Sequence, residues 1–175
     1  MVHAFIGVGS NIKPAENVRR AIRLLSEETH IIGISTVYQT EAEEGINQPK
    51  YYNCVVGIET NFSPEELKYK VLRKIEKDLG RRRSRDKYAS RTIDLDLILY
   101  DELIVKGDNF TLPDPQIAKR PYLAIPLYEL NPALVLPGSG LSIKKLVLNL
   151  SREGMQPLYN YTELLKKEII HGQKD

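Results

Sequence analysis

Apolar and polar positions recur with two distinct periods along the first hundred residues. Residues 4–9 (Ala-Phe-Ile-Gly-Val-Gly) form a short apolar run ended by Gly9-Ser10-Asn11, the pattern of a buried strand. Pro14 stands where a helix start tolerates a missing N–H, and Val18, Ala21, Ile22 and Leu25 recur at i, i+3, i+4, i+7, which predicts an amphipathic helix over 14–29. Ile31 to Thr40 is rich in β-branched residues and reads as a strand, and residues 41–50 as a polar loop. Tyr51 to Thr60 is a second strand of the alternating kind, with Tyr51, Asn53, Val55 and Gly57 on one face and Tyr52, Cys54, Val56 and Ile58 on the other. Ser63-Pro64-Glu65-Glu66 carries an N-cap, a Pro at the first helical position and a capping-box Glu; Leu67, Val71, Leu72 and Ile75 continue the stripe until Gly80 stops it. A basic loop over 81–90 then leads into a strand over Thr92–Tyr100.

The order is β-α-β-β-α-β, which predicts an α+β fold with a ferredoxin-like core: an antiparallel sheet backed by two helices. Beyond Tyr100 the expected pieces are shorter. They are a strand at Leu103–Val105, a non-helical Pro113-Asp114-Pro115, a helix over 116–130 interrupted at Pro121 and Pro126, apolar stretches at Leu134–Leu136 and Leu141–Leu146, and a C-terminal helix from Ser151 to about Ile170. Domain organisation is read as a catalytic domain over 1–147 and a helical extension of unassigned role over 148–175.

Composition narrows the class. A chain of 175 residues with 42% hydrophobic and 27% charged positions can bury a core without staples. Its single cysteine, Cys54, excludes an intramolecular disulfide and a cysteine-based zinc cluster, and suits a reducing cytoplasm. His3, His30 and His171 lack ligand spacing. No apolar run reaches the ~20 residues of a membrane span, and Met1 to Ser10 does not resemble a secretory signal. The net charge is only +2, yet residues 81–91 alone carry +5 and leave −3 to the remainder. Opposite charges therefore meet at one place along the chain, which argues against a long nucleic-acid backbone as the partner.

That place carries the chemistry. On the strand Arg91-Thr92-Ile93-Asp94-Leu95-Asp96-Leu97-Ile98-Leu99-Tyr100, Asp94 and Asp96 share a face about 7 Å apart, while Ile93, Leu95, Leu97 and Leu99 are expected on the other. Two carboxylates in an apolar segment are hydrated, paired with cations or bound to metal, and Mg²⁺ commonly takes one or two carboxylates together with substrate phosphates. The preceding cations are Arg81, Arg82, Arg83, Arg85, Lys87 and Arg91, mostly the residue suited to bidentate phosphate contacts. A solvated charge run and a solvent-facing acid pair are the bland alternatives. Tyr51-Tyr52-Asn53 offers an amide for a heterocycle with mixed edges and aromatic cover for its face. Gly7-Val8-Gly9 lacks the rest of a dinucleotide fingerprint, and no P-loop is present.

The chain resembles the 6-hydroxymethyl-7,8-dihydropterin pyrophosphokinase family. The likeness runs through Gly9-Ser10-Asn11, Thr40, Gln48-Pro49-x-Tyr51-x-Asn53, Glu76 with Gly80-Arg81-x-Arg83, Arg91-Thr92-x-Asp94-x-Asp96, and Arg120 through Pro126-Leu127-x-Glu129. It implies transfer of pyrophosphate from ATP, as co-substrate, to 6-hydroxymethyl-7,8-dihydropterin, releasing AMP, in folate biosynthesis. It also implies two Mg²⁺ held by Asp94 and Asp96, with Arg81, Arg83 and Arg91 on the transferring phosphates. Arg73, Glu76, Tyr88, Ile98, Thr111, Asp114 and Arg120 match positions lining the nucleotide, Tyr88 standing where the family often has a loop Trp. Thr40, Ala42, Tyr51, Asn53 and Tyr122 match positions around the pterin. A monomeric cytoplasmic enzyme is expected, with no nucleic acid and no membrane as partner.

Two positions depart from the family pattern. Asp114 stands where the family usually has His against a nucleotide phosphate, and Glu41-Ala42 follows Thr40 where the family usually has Pro. An acid beside phosphates is unfavourable unless a cation offsets it. The competing readings are a nucleic-acid-binding ferredoxin-like module, which lacks the paired sheet aromatics of an RNA-recognition motif, and an inactive homologue.

Overall fold

The computed structural model describes residues 1–42 and 47–174; residues 43–46 of the expected polar loop lie outside the described residues. Strand β1 (Val2–Ser10) is followed by α1 (Pro14–Glu28), β2 (His30–Ile34), β3 (Tyr38–Thr40) and β4 (Tyr51–Thr60). Next come α2 (Pro64–Glu66), a π-helical stretch (Leu67–Leu72) and α3 (Arg73–Asp78), which run on as one helix. Strand β5 (Asp94–Tyr100), the hairpin β6 (Val105–Lys106) and β7 (Thr111–Leu112), α4 (Pro121–Leu130), α5 (Ile143–Leu148), β8 (Met155–Pro157) and α6 (Tyr159–Ile169) complete the chain. The main sheet runs β5-β1-β4-β3-β8, with β2 also paired to β4, and every pairing is antiparallel. With β2 and β3 counted as one broken strand, the core order is fourth-first-third-second, the ferredoxin-like arrangement expected from the element order.

Local chemistry accounts for the principal elements. The α1 stripe Val18, Ala21, Ile22 and Leu25 is fully buried, each of the larger side chains contributing about 1.5–3 kcal/mol. The second helix opens on the expected capping box: Glu66 N–H donates to Ser63 Oγ at 3.2 Å, and Ser63 N–H donates to Glu66 Oε2 at 3.0 Å. Gly80, at φ 81°, ends it. One core fills the space between the sheet and α1, the π-helical stretch, α3 and α6, and a second lies on the other sheet face under α4 and α5.

Several expectations are corrected. The strand expected over 31–40 is broken between Ile34 and Tyr38, where Ser35 Oγ accepts from Val55 N–H in place of a ladder partner. Leu99 does not share a face with Leu95 and Leu97: the register jumps from Ile6↔Leu97 to Phe5↔Leu99, so Ile98 is a bulge and Leu99 joins the second core. The hairpin strand begins at Val105 rather than Leu103. Pro121 starts α4 rather than breaking it, and the helix continues through Pro126. The C-terminal segment is not helical from Ser151: Gly154 at φ 77° and Pro157 bracket the strand β8, and the helix begins at Tyr159. Residues 148–175 thus add a strand beside β3 and a helix whose Leu165 and Ile169 enter the first core.

Candidate active site

The functional face of the sheet is the one that carries α4, at the end where β1, β4 and β5 begin or finish. Antiparallel pairing sets Gly9 between Asn53 and Asp94, and Gly7 beside Asp96. A Cβ on Gly9 would stand 2.8 Å from Asn53 Oδ1, and one on Gly7 would stand 3.1 Å from Leu123. The two glycines therefore leave the floor of a cavity of about 250 Å³ open between the amide and the acids.

All five residues matched to the pterin, Thr40, Ala42, Tyr51, Asn53 and Tyr122, line this cavity, together with Tyr88, Arg91, Asp94, Asp96 and Asp114. Asn53 donates through Nδ2 to Thr40 Oγ1 at 2.8 Å, which fixes the amide plane and turns its carbonyl edge toward the glycine floor. Gln48 donates to the Tyr88 carbonyl and accepts from Asn11 Nδ2, tying the loop before β4 to the basic loop. Asn11 also accepts from Arg91 N–H at 2.7 Å, and Ser10 Oγ donates to the Thr92 carbonyl at 2.6 Å. The Gly-Ser-Asn turn is thereby the clamp that aims the acid strand.

The acid pair is unequally neutralised. Asp94 accepts from Arg81 Nη1 at 2.8 Å and from Arg91 Nη1 at 2.7 Å. Arg81 also pairs with the buried Glu76, whose carboxylate accepts from Leu95 N–H at 3.1 Å. Asp96 makes no ion pair among the described residues and faces the cavity. The surrounding protein, and then the charges of Asp94 and Asp114, push its carboxyl up to about 7. Burial likewise raises Asp114, against the 2.8 Å bond it accepts from Gln116 N–H.

Of the other residues matched to the nucleotide, Arg73 and Arg120 line neither this cavity nor the recess beside it. Thr111 lines an adjoining recess that shares Asp96 and Asp114 with the main cavity. The Arg73 guanidinium stacks 4.2 Å from the Tyr69 ring, and Arg120 donates to Gln116 Oε1 at 3.2 Å. Arg83 is exposed and outside both cavity walls. Ile98 does not line either space: its side chain is fully buried in the second core, and only its carbonyl reaches the site, accepting from Asp114 N–H at 2.9 Å. The sequence reading passed over Gln48, Gln116 and Leu123 as cavity-lining residues, and over the glycine floor. The strand period offered a signal for the floor, since Gly7 and Gly9 fall on one face with a polar ladder partner opposite.

A family model described as 7,8-dihydro-6-hydroxymethylpterin-pyrophosphokinase matches residues 5–132. The chain belongs to this family. It is 36% identical over 142 residues to the 2-amino-4-hydroxy-6-hydroxymethyldihydropteridine pyrophosphokinase of Haemophilus influenzae, covering 79% of this chain and 88% of that one. Its identity to the enzyme of that name from Aquifex aeolicus is 34%, over 78% of this chain and 85% of the relative, and to that from Synechocystis sp. 35%, over 92% and 83%. Among solved structures, the HPPK-DHPS of Plasmodium falciparum with SDX-DHP superposes with a TM-score of 0.67 at 12% identity, over 90% of this chain. This chain spans 47% of that one, and at such identity the likeness concerns the fold alone.

Proposed function

We infer that this chain, as a member of the dihydropterin pyrophosphokinase family, transfers the β,γ-pyrophosphate of ATP to 6-hydroxymethyl-7,8-dihydropterin. The observation that carries the reading is one cavity lined by an oriented Asn53, Tyr51, Tyr122 and an acid pair whose Asp94 is held by Arg81 and Arg91. The substrate's hydroxymethyl oxygen attacks the β-phosphorus, the bond from that phosphorus to the α–β bridging oxygen breaks, AMP leaves with that oxygen, and the hydroxyl proton is released. Little covalent work falls to the protein, so positioning and charge offset supply the acceleration.

In this reading Asn53 and Thr40 orient the pterin edge, Tyr51 and Tyr122 cover its face, and Ala42 closes the rim. Arg81 and Arg91 move from Asp94 to the transferring phosphates, with Arg83 joining from the loop. Arg73, Thr111, Asp114 and Arg120 border the nucleotide, Glu76 holds Arg81, and Tyr88 closes over the site to exclude water. The donor set fits magnesium: Asp94 and Asp96 would supply oxygen ligands, and Asp96 has no ion-pair partner among the described residues. Among the described residues no group of three or more His, Cys, Asp or Glu side chains is built to hold a metal, so phosphate oxygens would complete the shell of the two ions. When bound, the ions supply charge neutralisation on the phosphates.

Residues 1–147 form the catalytic domain in this reading, and 148–175 brace it through β8 and α6. The inward pairing of Arg81 and Arg91 favours a polyphosphate over a nucleic-acid strand. The reading takes the enzyme as monomeric and cytoplasmic, a compartment that suits the buried free Cys54. The deciding assay supplies ATP, Mg²⁺ and 6-hydroxymethyl-7,8-dihydropterin and identifies the nucleotide product. AMP is expected; ADP would mean single-phosphoryl transfer, and no turnover together with RNA binding would refute the reading.

A further inference from the structure

Beside the main cavity lies a recess of about 290 Å³ between the π-helical stretch and the β6–β7 hairpin, sharing Asp96 and Asp114 with the cavity. Lys68, on that π-helical stretch, is the one basic residue lining it among the described residues. Its position is set twice over. Nζ donates to the Asn109 carbonyl at 2.6 Å and stands 5.0 Å from the centre of the Phe110 ring. Its stem is half-buried, so the ammonium is held at the recess rim rather than trailing in solvent. Asp96, Asp114 and Thr111 line the same recess. No ion pair joins Lys68 to either carboxylate, so a gap separates the opposed charges.

The charge pattern makes this residue informative. Before nucleotide binds, Arg81 and Arg91 pair with Asp94, and Arg81 also with Glu76. Asp96 and Asp114 remain facing the space that the proposed function gives to the nucleotide phosphates. A triphosphate placed there meets two like charges, and an acid at 114 is the wrong sign for contact with it. A point-charge ammonium on a flexible stem, with two of its three hydrogens not used by Asn109, is a group that can reach a phosphate oxygen in this recess.

We propose that Lys68 is a nucleotide-binding residue of this chain: its ammonium takes a non-bridging oxygen of the bound triphosphate and offsets Asp114, which lines the same recess. The proposal rests on the placement of Asp114 and Thr111 beside the nucleotide. The π-helical turn is then functional, since it sets Lys68 and the Tyr69–Arg73 stack on the helix that borders the recess.

The test compares Lys68→Met, Lys68→Gln and Lys68→Arg, alone and with Asp114→Asn, in steady-state kinetics and in calorimetric binding of a non-hydrolysable ATP analogue with Mg²⁺. Met and Gln should each raise the KM for ATP about tenfold, with kcat and the pterin KM within twofold of wild type. Arg should restore most of the loss. Asp114→Asn alone should lower the KM for ATP, and combined with Lys68→Met it should recover at least half of the tenfold. If Lys68 only anchors the β6–β7 hairpin, the Met variant loses thermal stability while both KM values stay within twofold, and the proposal is overturned. If Asp114→Asn shifts ATP binding and the Lys68 variants do not, the Lys68 assignment alone falls. If neither does, the recess is not the phosphate site, and the nucleotide placement under it falls as well.

Discussion

Replacing Asp96 with Asn removes a charge that the fold holds against its own electrostatics, while keeping the side chain's shape. The carboxyl is pushed up to about 7 from an ordinary 3.8, by the protein around it first and by Asp94 and Asp114 next. A carboxyl raised in the folded state favours folding most when protonated. Its contribution is therefore fully present below the unfolded value near 4 and is lost as pH rises through 7. At ~1.4 kcal/mol per unit the whole shift would be ~4 kcal/mol, but solvent reaches this carboxylate from the cavity, which reduces the net penalty to about 1–2 kcal/mol. For a chain of this length that is about 2–8 °C in melting temperature. Asp96→Asn should therefore melt higher than wild type by that amount at pH 8 in EDTA, with the gain shrinking to nothing toward pH 4. Magnesium with an ATP analogue should stabilise wild type and leave the variant unmoved, and turnover should fall by at least about 10²–10³-fold. Thermal melts from pH 4 to 8, with and without the ligands, read all of this. A variant no more stable than wild type at pH 8, or a gain independent of pH, would refute the electrostatic reasoning.

Three further changes probe other parts of the structure. Gly9→Ala places a methyl 2.8 Å from Asn53 Oδ1, so the amide must turn away; the pterin KM should rise about tenfold while analogue binding without pterin is unchanged, as titration calorimetry would show. Leu165→Ala empties a buried site between α6 and the first core and should cost about 2–5 kcal/mol in urea unfolding, with a smaller loss counting against α6 as an integral layer. Tyr38→Phe strips a donor from Glu129, which also accepts from Thr36 N–H at 2.8 Å; Glu129 is exposed and water can replace the lost donor, so unfolding free energy should fall by only about 0.5–1.5 kcal/mol.

How much of this was legible follows from where each signal resides. Helix α1 and the capped helix start at Ser63 could be read because their apolar stripes and cap residues are local, and the structure keeps both. The sheet order followed from connection rules once the element order was known. The face assignment failed at Leu99 because a bulge is a two-strand event: the jump from Ile6↔Leu97 to Phe5↔Leu99 exists only in the pairing. The break between Ile34 and Tyr38 is similar, since a uniformly β-branched run carries no mark of the Ser35–Val55 contact that interrupts it. Within the site, residue types and spacing brought out Asp94, Asp96, Arg81 and Arg91, and the resemblance brought out the pterin set. The partners that hold them, Asn11 on Arg91 and Gln48 on Tyr88, span 80 and 40 residues and were out of reach of any local pattern.

The resting arrangement also explains how one small chain can keep so much opposite charge in one place. Arg81 and Arg91 meet the needs of Asp94 and Glu76, while Asp96 remains unpaired. A cation entering alone must compete with both arginines for Asp94. A polyphosphate entering alone must take those arginines while facing Asp96 and Asp114. In the proposed reading, entering together they would exchange partners, the carboxylates going to the cation and the arginines to the phosphates, so that each charge gains an opposite one. The Arg–Asp pairs are thus better viewed as placeholders than as stabilising bridges. If the proposed function holds, the acidity accumulated around Asp96 is the feature that would favour entry of the nucleotide together with its cation.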